Sequence, residues 1–292
     1  MKFKYILFVV LTIWLIGTGC SKNPSEPNYQ KEVMIYGYLW GNEPLDLEHA
    51  ISIQYTQPLT EIYEIEKAAV RQATVTLTDS LTGDYWILKD TKENPGRYFN
   101  NEIVIQPETT YLLRIETDNK IITASTTVPT EINLMTELHT DSVNQEYQDN
   151  LGYIKPIYVN CDCPDDLMIT VDMFCNESWE DAEYINPFFG YKNPESREEY
   201  DGGINGEPRR IQAFVTYQDL KASDFDNKHT IYWYASMIVF YGQQTMQIMA
   251  VDENYVNYTF AEHPVYTGGI QGGLGVFASM CGQIYSLYII KE

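Results

Sequence analysis

Basic residues are scarce in this chain: 19 lysines and arginines stand against 41 aspartates and glutamates. A surface so acidic repels phosphate backbones and anionic headgroups, which argues against nucleic acid as a partner. Histidine is sparse too. His49, His139, His229 and His263 fall in separate segments without ligand-like spacing, and each reads as a packing or surface residue. After the first twenty residues no apolar run approaches the ~20 residues that a spanning helix needs. The sequence also lacks a Gly-x-Ser-x-Gly elbow, a Walker loop, a His-Glu-x-x-His pair and an EF-hand loop. Gly273-Leu274-Gly275-Val276-Phe277-Ala278 matches the dinucleotide fingerprint in form only. Too few residues follow it to complete a βαβ unit of about 30, so Gly272, Gly273 and Gly275 read as a structural turn. Neither a cofactor nor a metal site is expected. Among 41 acids no pair can be singled out as a glycosidase acid and base, so no catalytic residue is assigned and the chain reads as a non-enzyme.

What is present begins at the N-terminus. Lys2 and Lys4 precede an apolar run from Tyr5 to Ile16, and Gly17, Thr18 and Gly19 supply a small-residue cleavage site ahead of Cys20. This is an export signal over residues 1–19, and a cysteine directly after it resembles the bacterial lipobox. Cys20 is then the lipidation site and the first residue of the mature chain. The branched residue, Ile16, stands one place earlier than the lipobox has it. The alternative is a plain secretory signal with Cys20 left as a thiol. Residues 20–30 are polar with two prolines and read as a flexible tether. Removing Lys2 and Lys4 with the signal leaves 17 basic residues against 41 acidic ones, a charge of −24.

Beyond Cys20 the cysteines are Cys161, Cys163, Cys175 and Cys281. In an oxidising exported compartment an even number suggests disulfides, whose pairing the sequence leaves open. Cys-Asp-Cys with two distant thiols is a weak zinc pattern.

From Val33 the apolar residues recur with period two, as half-buried strands require. Residues 33–39, 51–55 and 73–78 alternate in this way, and turn residues 79–84 lead into a strand at 85–89. A second hairpin joins 111–115 to 121–124. The fold class expected is all-β, mainly antiparallel. An N-terminal Ig-like or transthyretin-like β-sandwich spans 31–129, with a second β-rich domain over 130–292 carrying one or two short helices. Pro129 marks the boundary. In the second part, strands are expected at 154–161, 167–174, 211–217, 231–241, 245–251 and 283–290, with Gly242, Gln243 and Gln244 at a turn. Asp252 heads a short helix as its N-cap. Residues 61–72 allow another.

Residues 176–208 form the longest irregular piece, dense in acids and interleaved with Trp179, Tyr184, Phe188, Phe189, Tyr191 and Tyr200. Exposed aromatics beside carboxylates stack on sugars or hold a cation, so these six are candidate ligand-binding residues. The competing reading is an inserted loop whose aromatics tuck onto the sandwich.

Near the C-terminus, Tyr255-Val256-Asn257-Tyr258-Thr259-Phe260 and Gly272-Gly273-Leu274-Gly275-Val276-Phe277 resemble the closing signature of the domain of unknown function 4249 family. Those proteins are exported lipoproteins of Bacteroidota-type bacteria. Ala73-Thr74-Val75-Thr76-Leu77-Thr78-Asp79, Pro95-Gly96-Arg97-Tyr98 and Thr110-Tyr111-Leu112-Leu113-Arg114-Ile115 fit the same family in order. The resemblance implies a lipid-anchored outer-membrane protein. Because members often lie beside genes for TonB-dependent receptors, it also implies an accessory role in nutrient capture, with a β-barrel receptor, a glycan or another small nutrient as partner. The alternatives are a polysaccharide-active enzyme using an unassigned carboxylate pair and a structural or surface-assembly lipoprotein. Gly268 to Gly275 should pass tightly beside another strand before Val276 and Phe277 enter the core.

Overall fold

The computed structural model describes residues 29–58, 61–117, 120–134, 143–144, 157–160, 164–185, 194–202, 209–222, 229–231 and 240–290. The segment expected to be an export signal, Cys20, Cys161, Cys163, Phe188, Phe189 and Tyr191 lie outside the described residues.

The fold is all-β. Its first strand, β1 (Val33–Trp40), turns Val33, Ile35 and Leu39 inward and Met34, Tyr36, Tyr38 and Trp40 outward, the alternation that a half-buried strand imposes. It pairs antiparallel with β2 (Ile51–Tyr55). A one-turn helix, Ile65–Ala68, follows within the stretch where a helix was allowed. Next come β3 (Thr74–Asp79), β4 (Tyr85–Leu88), β5 (Arg97–Tyr98), β6 (Thr110–Thr117) and β7 (Lys120–Thr127). Both expected hairpins form, β3 with β4 and β6 with β7.

Past Pro129 lie β8 (Asn133–Leu134), β9 (Val143–Asn144), β10 (Ile157–Asn160), β11 (Met168–Cys175), β12 (Arg210–Thr216), β13 (His229–Ile231) and β14 (Gly242–Val251). The chain closes with the helix Glu253–Phe260, β15 (Ile270–Gln271) and β16 (Leu274–Ile290). Asp252 caps that helix as expected, its carboxylate accepting from the Tyr255 amide. The turn expected at residues 242–244 is corrected: Gly242, at φ 91°, opens β14 directly, with the Glu177 carboxylate above it.

Among the described residues three sheets result. The largest runs β12-β11-β14-β16-β1-β2-β5, with β9 beside the end of β16. A five-stranded sheet runs β15-β7-β6-β3-β4, and a small one runs β13-β10-β8. One core fills the space between the β2-β1-β16 part of the large sheet and the five-stranded sheet, with Ile35, Leu39, Tyr98, Leu113 and Phe277 inside it. Another lies under β11, β14 and the far end of β16, holding Val171, Met246, Ile248, Leu287 and Ile289. At ~1.5–3 kcal/mol per fully buried apolar side chain, these two clusters are the main cohesive force.

Strand β16 serves both. Phe277 and Cys281 sit in the first core while Leu287 and Ile289 sit in the second. Its first half pairs parallel with β1, so residues 31–129 alone do not complete the N-terminal sandwich. The glycine run makes this docking feasible. A β-carbon on Gly275 would fall 2.0 Å from the Ile35 carbonyl oxygen, and one on Gly268 2.3 Å from the Gly275 oxygen. The tight passage expected of this run is present. Gly272 and Gly273 bend the chain between β15 and β16, Gly275 lies inside β16, and the run leads into that strand and not into a helix that could receive a dinucleotide pyrophosphate.

Candidate functional site

Three of the six aromatics proposed for ligand binding fall within the described residues, and all three belong to one packed cluster. Tyr200 is 1% exposed and meets Trp179 at 5.6 Å and Phe240 at 5.3 Å between ring centroids. Tyr184 joins them through Phe240. The Tyr200 hydroxyl donates to the Glu177 carbonyl at 2.8 Å, Glu177 Oε1 accepts from the Gln243 amide at 2.6 Å, and Arg209 lies over Phe174 and Tyr200. Burial and the adjacent Cys175 thiol hold the Tyr200 phenol well above its usual range. Trp179, Tyr184 and Tyr200 therefore build a small satellite core, the packing alternative named above.

On the outer face of the large sheet, the helix Glu253–Phe260 lies across the strands from β1 to β12. Tyr258 meets Tyr36 and Tyr255 meets Tyr38 on β1, while Phe260 meets Phe214 on β12 at 4.8 Å. Burial, reinforced by Tyr258, pushes the Tyr36 phenol up to about 12. Two further rows of side chains cross this face. One holds Gln212, Asp172, Gln247 and Ile284; the next holds Arg210, Phe174, Thr245 and Ser286. Arg210 Nε lies 3.1 Å from each oxygen of the buried Asp172 carboxylate. Together with Thr245 and Gln247 they line a shallow depression of about 250 Å³. Little in the sequence pointed to this pair beyond one aspartate in a mainly apolar strand.

A larger cleft of about 610 Å³ opens where the N-terminal sandwich meets the C-terminal half. Thr126 and Pro129, Pro164 and Met168, and Asp252 with Glu253 at the helix N-terminus line it. Asp252 is held on every side: Oδ2 accepts from Thr126 Oγ1 at 2.5 Å and Oδ1 from the Tyr255 amide at 3.0 Å. Thr126 Oγ1 is also 2.7 Å from Ser279 Oγ, which extends the chain of hydroxyls into β16. Beside it, Asn254 Nδ2 donates to the Ser125 and Phe277 carbonyls, tying β7 to β16. Burial raises the Asp252 carboxyl above its ordinary range, and these hydrogen bonds only partly offset that. The N-cap was legible as Asp252 ahead of a polar-aromatic helix; the links to Thr126 and Ser279, more than a hundred residues away or on another strand, were not.

Cys175 and Cys281 are free, buried thiols, so no disulfide joins them. Cys175 pairs across β14 with Gln244 and Cys281 with Ala250. Six residues of strand, about 20 Å, separate those positions, far beyond disulfide reach. Among the described residues no three His, Cys, Asp or Glu side chains converge as a metal site, and no helix is long and apolar enough to cross a membrane.

A two-core, strand-built protein whose last strand completes its first sandwich is the class these features define. The family model described as Domain of unknown function (DUF4249) matches residues 26–280, and the chain belongs to that family. No curated protein matches it.

Proposed function

We propose that this chain is a non-enzymatic binding protein of the cell envelope, anchored at the outer membrane through a lipid on Cys20. On this reading it takes its ligand in the cleft between its two halves and assists nutrient capture beside a TonB-dependent β-barrel receptor. The observation that carries the binding reading is the make-up of that cleft. Its volume, about 610 Å³, is within the range of small-molecule sites. Its one recessed carboxylate, Asp252, has both oxygens engaged, while Asp166 and Glu253 on its lining are exposed. A glycosidase instead opposes two carboxyl groups across the scissile bond, about 5–10 Å apart. A glycan fragment or another small polar nutrient suits the mixture of threonine, proline and methionine side chains. The anchor rests on Gly17, Thr18 and Gly19 ahead of Cys20 and on the polar segment after it.

The test is calorimetric titration of the soluble Cys20→Ser chain with oligosaccharides and other small nutrients, repeated on Leu167→Arg, which obstructs the cleft. Saturable binding lost in that variant supports the reading. Release of reducing sugar that disappears in Asp252→Asn would replace it with the enzyme reading.

A further inference from the structure

The point at which the tether joins the fold carries an unusual set of exposed side chains. Tyr29 donates through its hydroxyl to the Thr56 carbonyl, and the Thr56 amide donates to the Glu32 carbonyl, which pins the start of the fold to the end of β2. The segment that follows β2 is anchored at the same corner. Tyr63 donates to the Gln54 side chain, and Gln57 exchanges hydrogen bonds with the backbone of Glu64. Around these ties Ile62 is 88% exposed, Tyr63 57%, Ile65 47% and Tyr29 44%. Two isoleucines held open to water on a fixed segment cost the fold hydrophobic free energy that a partner surface would recover.

Charge narrows the choice of partner. The chain as a whole is strongly acidic, yet at this corner the cations Lys31, Lys67, Arg71 and Lys120 stand against Glu32, Glu61, Glu64 and Glu66. The corner is locally neutral: Lys67, Arg71 and Lys120 are paired with Glu64, Glu66 and Glu32, and Lys31 sits over the Tyr55 ring. Exposed tyrosines and isoleucines in a charge-balanced surround suit a membrane–water interface. Geometry narrows it further. Eight residues, 21–28, separate Cys20 from Tyr29, and even fully extended they span no more than about 30 Å.

We infer that Tyr29, Ile62, Tyr63 and Ile65 form a membrane-contact corner that seats the protein on the leaflet holding its own lipid. The inference rests on the anchor at Cys20 proposed above. It makes the lipid a tether and the corner a second, weaker contact that fixes orientation.

Brominated-lipid quenching tests it. The lipidated protein, purified from membranes and placed in phosphatidylethanolamine–phosphatidylglycerol vesicles with brominated acyl chains, is compared as Ile62→Trp and Leu81→Trp. Leu81 is 89% exposed and lies at the tip of the β3–β4 hairpin, away from this corner. The indole added by Ile62→Trp should lose at least half its emission, and that added by Leu81→Trp should lose less than a tenth. A parallel soluble chain, Cys20→Ser, should bind the same vesicles at least fivefold more weakly once Ile62→Ser and Ile65→Ser are added; both sites are exposed, so the fold survives. Equal quenching at the two positions, or none at Ile62 with Cys20 lipidated by mass spectrometry, overturns the corner and leaves the anchor standing. An unmodified Cys20 overturns both. A dimer that Ile62→Ser dissociates, without quenching, assigns the corner to self-association and overturns the inference.

Discussion

Thr126, on β7, donates a 2.5 Å hydrogen bond to Asp252, the N-cap of a helix that follows it by more than a hundred residues. The contact joins the N-terminal sandwich to the element that covers the outer face of the large sheet. Because burial raises the Asp252 carboxyl, the protonated form is favoured in the folded state. The native chain then holds more protons than the unfolded one just above the ordinary aspartate value of 3.8, so this contribution is complete below 3.8 and is lost as pH rises through the folded value.

Asparagine at this position keeps the cap and removes the charge. Its oxygen can still accept from the Tyr255 amide, and Thr126 can accept from its amide instead of donating. Asp252→Asn is expected to lie within about 0.5 kcal/mol of wild type at pH 7 and to lose this part of the pH dependence, whereas Asp252→Ala loses about 1–2 kcal/mol. Urea unfolding of both variants from pH 4 to pH 7 checks it. An alanine variant as stable as wild type would mean the seam does not depend on this cap.

The glycines of β16 make unequal demands. Gly275 has φ 108°, and a β-carbon there would strike the Ile35 carbonyl at 2.0 Å; Gly273 has ordinary φ and its nearest neighbours would be 3.1 Å away. Gly275→Ala is therefore expected to cost more than about 3 kcal/mol or prevent folding, while Gly273→Ala costs about 1 kcal/mol or less. Thermal melts of the pair separate the two. Similar melting temperatures would contradict the close parallel pairing of β1 with β16.

These glycines also show where the sequence is readable. Period-two alternation located β1, β2 and β3 because each buries one face, and turn residues located β4 and the β6–β7 hairpin. Residues 276–281 are buried on both faces, so they show no alternation, and a strand there looks like an extension of the glycine run. The parallel partner of β1 is more than two hundred residues away, beyond any local signal. In the loop at 176–208, composition offered aromatics and acids; packing decides whether they face a ligand or the fold, and Trp179 and Tyr200 pack with Phe240. The seam cleft is assembled from β7, the turn before β11 and a helix end, so it has no contiguous signature.

Free thiols supply another test. Cys281 packs against Gly41, and burial pushes its thiol up to about 11. The thiolate is the reactive form, so the buried Cys281 is expected to resist alkylation at pH 8 in the native protein and to react within minutes in denaturant. Cys175, also buried, should behave alike. Peptide mapping after iodoacetamide treatment reads both sites. Non-reducing maps that join Cys175 to Cys281 would contradict the strand register that keeps them apart.

Tyr98, with Tyr111, is a phenol of the first core that burial raises. It is 1% exposed; its hydroxyl donates to the Val70 carbonyl at 2.9 Å and accepts from the Ala73 amide at 3.2 Å. Burial pushes the phenol up to about 12 from its usual 10.0. The unfolded chain therefore loses this proton first as pH rises, so the stability that Tyr98 supplies is complete below pH 10 and falls away between 10 and 12. Two pH units correspond to roughly 3 kcal/mol, of the same order as the net stability of a small domain. Tyr98→Phe strands the Val70 carbonyl without its donor and should cost about 1–2 kcal/mol at pH 7. The same change removes the proton whose loss drives the alkaline decline, so wild type and variant should converge in stability as pH approaches 11. Urea midpoints at pH 7, 9 and 11, with absorbance at 295 nm to follow phenolate formation, measure both effects. A constant gap between the two proteins across that range would show that the Tyr98 phenol ionises no later than an exposed one.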